Sequence, residues 1–343
     1  MLLALAAVVV AGRLLSRLFH YLRQPPVIGE VVAGILLGPS LLGHLWPSGA
    51  AFPFPAAIVP HLGVLAQVGV VLYMFVVGLE LDVGELRRRG SATAGIAQAG
   101  MAVPFVLGAG LALVLYPVLS TSAVPFTRFA LFLGAALSVT AFPVLARILS
   151  DYGQARSPLG TVALGAAALS DVVAWCLLAF VVGVAQAQLG GALATVALTL
   201  AYIGVMWLLV RRALLRCAPH WLAGPLDRGV LAGVLVGLLL SAVATELIGV
   251  HAIFGAFLCG AVIPHDSGVA RELTRRLEDF VTVLLLPAFF AFTGLRTQLG
   301  LLAGAENWLL CGVVVLVASA GKWGGPTLDR RRPLAVRVCC ARP

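Results

Sequence analysis

Three positions in this sequence combine charge or a freed backbone with an apolar setting, where either is hard to accommodate. Asp171 lies within the apolar run Ser157–Val184, flanked on both sides by apolar and small residues. In a helix rising about 1.5 Å per residue it would sit near the middle of a hydrocarbon core roughly 30 Å thick. An acid there carries an insertion penalty of about 2.5–3.5 kcal/mol, so it should face a protein interior or a water-filled cavity. That points to an ion pathway; a protonated Asp bonded to a neighbouring helix is the plainer alternative. The second position is Pro143, mid-way through an apolar stretch, with Ser138 and Thr140 just before it. Proline donates no hydrogen bond and presses on the carbonyl four residues back, so the chain should kink or unwind beside Thr140. Freed carbonyls and a threonine hydroxyl at membrane depth are cation ligands, as in the broken helices of secondary transporters, whereas a merely kinked packing helix would have no ligand role. The third is Lys322, within Ser-Ala-Gly-Lys-Trp-Gly-Gly. It either snorkels to a nearby interface or pairs with Asp171.

The elements that must position these residues are membrane spans. Hydropathy gives about eleven of them: Leu2–Leu22, Pro26–Leu42, Leu62–Leu81, Ala92–Leu115, Phe126–Leu149, Ser157–Val184, Leu193–Val210, Gly229–Ala244, Leu247–Ile263, Phe280–Leu295 and Trp308–Trp323. The two segments flanking Glu246 read equally as one long bent element. Arginines supply an independent test of this count. Arg23, Arg87 to Arg89, Arg147 with Arg156, Arg211 to Arg228, and Arg271 to Arg276 fall in every second connection, which puts the N-terminus outside and the C-terminus in the cytoplasm.

Composition excludes several other classes. With 61% hydrophobic and 11% charged residues, and a mean hydropathy of +1.05, the chain is an integral membrane protein without a soluble domain. The net charge of +9 comes from short basic clusters between spans, a topology signal rather than a nucleic-acid surface. The six cysteines have no metal-ligand spacing and no disulfide pattern, and no pair of histidines has helical ligand spacing. No cofactor is expected. Glu30, Glu80, Asp82 and Glu246 fall near span ends, where a structural role is the plain reading; Glu30 and Glu246 are also candidates to line an entrance.

Several longer stretches resemble the bacterial monovalent cation:proton antiporter-2 family, which includes Na+/H+ exchangers and Kef-type potassium efflux systems. They are Arg23-Gln24-Pro25-Pro26-Val27-Ile28-Gly29-Glu30 running on to Gly38-Pro39-Ser40, Met74 to Asp82, Thr140-Ala141-Phe142-Pro143-Val144-Leu145-Ala146-Arg147, Thr245 to Phe257, and Phe290 to Arg296. The resemblance extends to about Gly325. It implies an all-α polytopic fold of the sodium/proton-antiporter inverted-repeat type with a discontinuous helix, in which a core moves against a more rigid dimerisation domain. Asp171 matches the ion-binding aspartate, Thr140 the first unwound helix, and Lys322 the basic residue that can pair with the aspartate when no ion is bound. Ser170 stands where electrogenic relatives carry a second acid.

On this reading residues 1–325 form the exchanger domain and 326–343 a basic cytoplasmic tail. The tail departs abruptly from the family pattern and reads as a frameshifted or truncated end, which would remove the last helices. The implied function is that of a transporter and not an enzyme: exchange of Na+ or K+ for H+ by alternating access at a single aspartate, in a bacterial plasma membrane, as a homodimer in the lipid bilayer. A Kef-type channel-like protein and a non-transporting remnant are the alternatives.

Overall fold

The computed structural model of the chain describes residues 1–46, 54–55, 57–121, 124–186, 189–217, 227–302 and 304–328. The tail from 329 onward, with Arg330 to Arg332 and the cysteines at 339 and 340, lies outside the described residues. Numbered in chain order, the main helices are α1 (Leu2–Tyr21), α2 (Pro26–Leu37), α3 (Val59–Glu80), α4 (Gly90–Leu119), α5 (Phe126–Ser138), α6 (Phe142–Asp151) and α7 (Pro158–Gln186). They continue as α8 (Leu189–Val205), α9 (Arg228–Ile248), α10 (Ala252–Val262), α11 (Gly268–Phe280), α12 (Leu286–Leu295) and α13 (Ala305–Leu328). Helix is the dominant solution because a spanning segment must satisfy its own backbone hydrogen bonds.

Ten helical stretches among the described residues are long and apolar enough to cross a membrane, with α5 and α6 counted together. The ninth expected span, Leu247–Ile263, is corrected: its helical part is the 11-residue α10, too short to cross alone. Gly249, at φ 97° in the left-handed region, ends α9 as a side-chain-free residue can, and His251 caps α10 through Nδ1, which accepts from Ile253 N–H at 3.3 Å. The one-long-element reading therefore fails. The tenth span also extends further than its apolar run. Arg271, Arg275 and Arg276 lie on the amphipathic α11, capped by Ser267 Oγ accepting from Ala270 N–H at 3.1 Å and laced by Arg276 to Glu272 at 2.7 Å.

The helices pack as two groups. α4, α5, α6, α7 and α13 touch one another, while α1, α2, α3, α10, α11 and α12 form the second group with α9 against α10. At the centre of the second group stands α3, buried almost all round from Gly69 to Leu79, as an interior helix should be. Its closest approach is to α10. A Cβ added at Gly78 would lie 2.2 Å from Phe257 O, and one added at Gly260 would lie 2.2 Å from Phe75 O. The same reciprocal contact joins α2 to α12, where a Cβ added at Gly34 would overlap Ala291 O and one added at Gly294 would overlap Val31 O. Both crossings are seated on paired glycines, which let the backbones approach closely. The groups meet along α6, whose Phe142 is buried edge-on to Phe257 of α10 with ring centroids 4.9 Å apart.

Candidate ion site

The expected disruption is present and local. α5 ends at Ser138, Val139 is extended at φ −61°, ψ 139°, Ala141 is extended at φ −72°, ψ 97°, and α6 begins at Phe142. Pro143 falls in the first turn of α6, where a missing N–H leaves nothing unsatisfied, so it starts the second helix and does not kink a continuous one.

In an unbroken helix the Phe142 N–H would donate to the Ser138 carbonyl. Here the two halves of that bond find separate, oppositely charged partners. The Phe142 N–H faces the Asp171 carboxylate on α7 and stabilises its charged form. Lys322, on α13, donates from Nζ to Ser138 O at 2.5 Å and also to Thr140 Oγ1 at 2.6 Å. The electrostatics agree with both placements: the N-terminal end of α6 is the positive end of its dipole and faces the acid, whereas the C-terminal end of α5 is negative and faces the ammonium. The third Lys322 acceptor is Gly100 O on α4, at 3.1 Å. That carbonyl stands four residues before Pro104, which has no N–H to offer it. Lys322 thus collects carbonyls left over at two separate backbone defects, one in α4 and one between α5 and α6.

Lys322 neither snorkels nor forms the direct ion pair with Asp171. Its donors are occupied by these three oxygens, and it acts on the carboxylate through its field across the break. Asp171 is the expected residue that reaches open space. It lines a cavity of about 330 Å³ with Val139, Ala141, Phe142, Trp175 and His251, bounded on α5 by Phe132 and on α10 by Phe254. The other two expected ion ligands do not line that cavity. Ser170, 5% exposed, is turned away by the roughly 100° between successive helix residues, and the Thr140 hydroxyl is held by Lys322. Ser138 Oγ bonds back to Ala135 O at 2.8 Å, leaving its carbonyl as the group that takes part.

The two entrance candidates separate. Glu246 is exposed on a second cavity of about 590 Å³, with Gln67, Thr293 and Arg296, and its Oε2 accepts from Ala252 N–H at 3.2 Å. His251 lines both cavities, so the second one adjoins the Asp171 site. Glu30 is corrected: it is 2% exposed, sealed between helices, and faces Arg147. An interface position in sequence did not reveal that α6 covers it. His251 and Trp175, whose rings approach to 5.5 Å, are site residues that sequence reasoning passed over. Trp175 lies four residues after Asp171, one turn along the same helix face, which is the signal that could have found it.

The transmembrane sodium/hydrogen exchanger family matches residues 4–325. The chain belongs to that family. Among curated proteins this exchanger-family chain is 43% identical over 337 residues to the Na(+)/H(+) antiporter NhaS4 of Synechocystis sp., covering 96% of this chain and 82% of that one. It is 41% identical to Cation/H(+) antiporter 20 of Arabidopsis thaliana, covering 92% and 39%, and 34% identical to K(+)/H(+) antiporter 1 of Saccharomyces cerevisiae, covering 84% and 34%. It thus spans most of the cyanobacterial relative and well under half of the plant and yeast ones. The fold is that of a solved sodium proton antiporter, MjNhaP1 from Methanocaldococcus jannaschii, with a TM-score of 0.62 at 16% identity over 95% of this chain and 78% of that one.

Proposed function

We propose that this chain exchanges a monovalent cation, Na+ or K+, for H+ by alternating access, with Asp171 as the shared binding group. The observation that carries this reading is a lone carboxylate at the broken helix, lining a cavity whose walls come from both helix groups. A carboxylate binds a proton or a cation, and the two compete. If the cavity opens to one side at a time, that competition couples the two flows. The names of the relatives, which include Na+/H+ and K+/H+ antiporters, support the substrate class.

With Lys322 committed to two carbonyls and the Thr140 hydroxyl, and Ser170 uncharged, one acid is left to change its occupant, and the exchange is one for one and electroneutral. The Asp171 cavity extends along α7 from Asp171 to Leu178 and along the C-terminal half of α5 back to Phe132, away from Arg147 on α6 and from the connections that carry Arg23 and Arg156. Taking the arginine-rich side as cytoplasmic in a bacterial plasma membrane, the N-terminus lies outside and the cavity opens outward. The protein works as a homodimer, with α13 and its group moving against the group built on α3.

The test is proton flux in proteoliposomes driven by an imposed Na+ or K+ gradient. Exchange predicts proton movement opposite to the cation and insensitive to a membrane potential clamped with valinomycin or a protonophore-free anion gradient. Cation flux that leaves the internal pH unchanged would instead fit a channel of the Kef type, and no flux with correctly inserted protein would fit a remnant.

A further inference from the structure

On the side opposite the cavity mouth, two charged residues, Arg147 and Glu30, are buried where the two helix groups meet, with Asp151 at the open edge of the cluster. Arg147, on α6, is 8% exposed. Its Nη2 lies 3.7 Å from Glu30 Oε1 on α2, and its Nε lies 3.1 Å from Asp151 Oδ1 one turn along α6. That Nε–H does not point along the Asp151 contact, which is an ion pair and not a well-formed hydrogen bond. Glu30 Oε2 has no hydrogen-bond partner. Two carboxylates thus share one guanidinium, with Arg13 of α1 acting on both acids from outside. An arrangement this poorly satisfied is a weak source of stability, so its placement needs another explanation.

The two contacts differ in what they connect. The Asp151 contact lies within α6, in the group that holds Asp171, and is the shorter one. The Glu30 contact crosses to the other group and is the longer one. We propose that Arg147 is a positioning residue that latches the arginine-rich side shut: it spans Glu30 and Asp151 while the Asp171 cavity opens to the far side, and keeps Asp151 alone when the groups part. Because Asp151 travels with it, the guanidinium is never left without a counter-charge, so the latch opens reversibly. A nearby hydroxyl contact, Tyr73 to Ser150 at 3.5 Å, also joins the groups but carries no charge. The ion pair Arg156 to Glu80 at 2.6 Å joins them too, but its arginine side chain is 71% exposed, and an exposed pair contributes little. Arg147 also holds the helix whose first N–H meets Asp171, so the latch and the ion site ride on one rigid segment.

This inference rests on alternating access as proposed above, and its test does not require transport. In a full-length chain with native cysteines replaced, Val139→Cys places a thiol in the Asp171 cavity, and membrane-impermeant reagents report its access from each side. Glu30→Gln removes the contact that crosses between groups: labelling from the arginine-rich side should rise at least threefold and labelling from the other side should fall. Asp151→Asn removes the fallback partner and commits Arg147 to Glu30, so labelling should shift in the opposite direction. A merely structural cluster would move both variants the same way, or neither; either result, in protein that unfolds like the parent, overturns the latch. If Glu30→Gln fails to fold, Asp151→Asn decides alone, with slower labelling from the arginine-rich side supporting the latch and unchanged or faster labelling overturning it. Opposed shifts in a protein that exchanges nothing would keep the latch and remove the exchange reading.

Discussion

Replacing Lys322 with Met tests whether the ammonium holds the break together. The substitution keeps the length and flexibility of the side chain but leaves Gly100 O, Ser138 O and Thr140 Oγ1 without their donor. Each buried acceptor left bare costs about 1–3 kcal/mol. The threonine hydroxyl can rotate to donate to the neighbouring Ser138 carbonyl, so about two acceptors are unmet at any moment. Against this, the desolvation of a half-buried ammonium is recovered. Two bare acceptors at that cost, less the recovered desolvation, give a net expected loss of about 2–5 kcal/mol. The assay is SDS-driven unfolding of the purified full chain in mixed micelles, with Leu316→Met, a lipid-exposed change on the same helix, as the control. Thr140→Val alone should cost about 1 kcal/mol or more, and added to Lys322→Met it should cost much less, because the two residues share one contact. Lys322→Met that unfolds like the control, or full additivity with Thr140→Val, would refute this account of the break.

Two further substitutions probe the backbone. Pro143→Ala should leave the break in place, since Asp171 and Lys322 hold its two ends, with a stability loss of at most about 1 kcal/mol from the freer unfolded chain and cation-driven proton flux largely retained; a loss of several kcal/mol in the same unfolding assay would show that the proline makes the break. Gly260→Ala puts a methyl 2.2 Å from Phe75 O and should cost about 1–3 kcal/mol or more through separation of α3 from α10, whereas Gly237→Ala, with open space around it, should be neutral or mildly stabilising.

Much of the fold could be read from the sequence because the bilayer imposes one rule on every span, an apolar run long enough to cross. α10 and α11 escaped that rule for a physical reason. A short helix can be shielded by its neighbours, as α10 is by α3 and α9, and a charged amphipathic helix such as α11 can continue a span beyond its apolar part. At the site, the central place of Asp171 in its long apolar helix and the disruption near Thr140 were both legible, since each is a local property of one segment. What was not legible was which helix end each charge would meet. That Lys322 reaches a carbonyl freed by Pro104, or that Glu30 is covered by Arg147, depends on which helices are neighbours, and spacing along one helix does not encode that. The Thr140 hydroxyl was expected on the ion for the same reason: nothing local in the sequence sets Lys322 beside it.

Asp171→Asn is the most direct test of the central claim. The amide keeps an oxygen to accept from the Phe142 N–H, so the break and the fold should survive, but it has no charge to hold a cation and no site for an exchangeable proton. In proteoliposomes with an imposed Na+ or K+ gradient, the parent chain should drive protons the other way. The variant, inserted and unfolding like the parent, should drive essentially none. Equal proton flux in the two proteins would show that ion exchange, if it occurs, does not pass through this carboxylate.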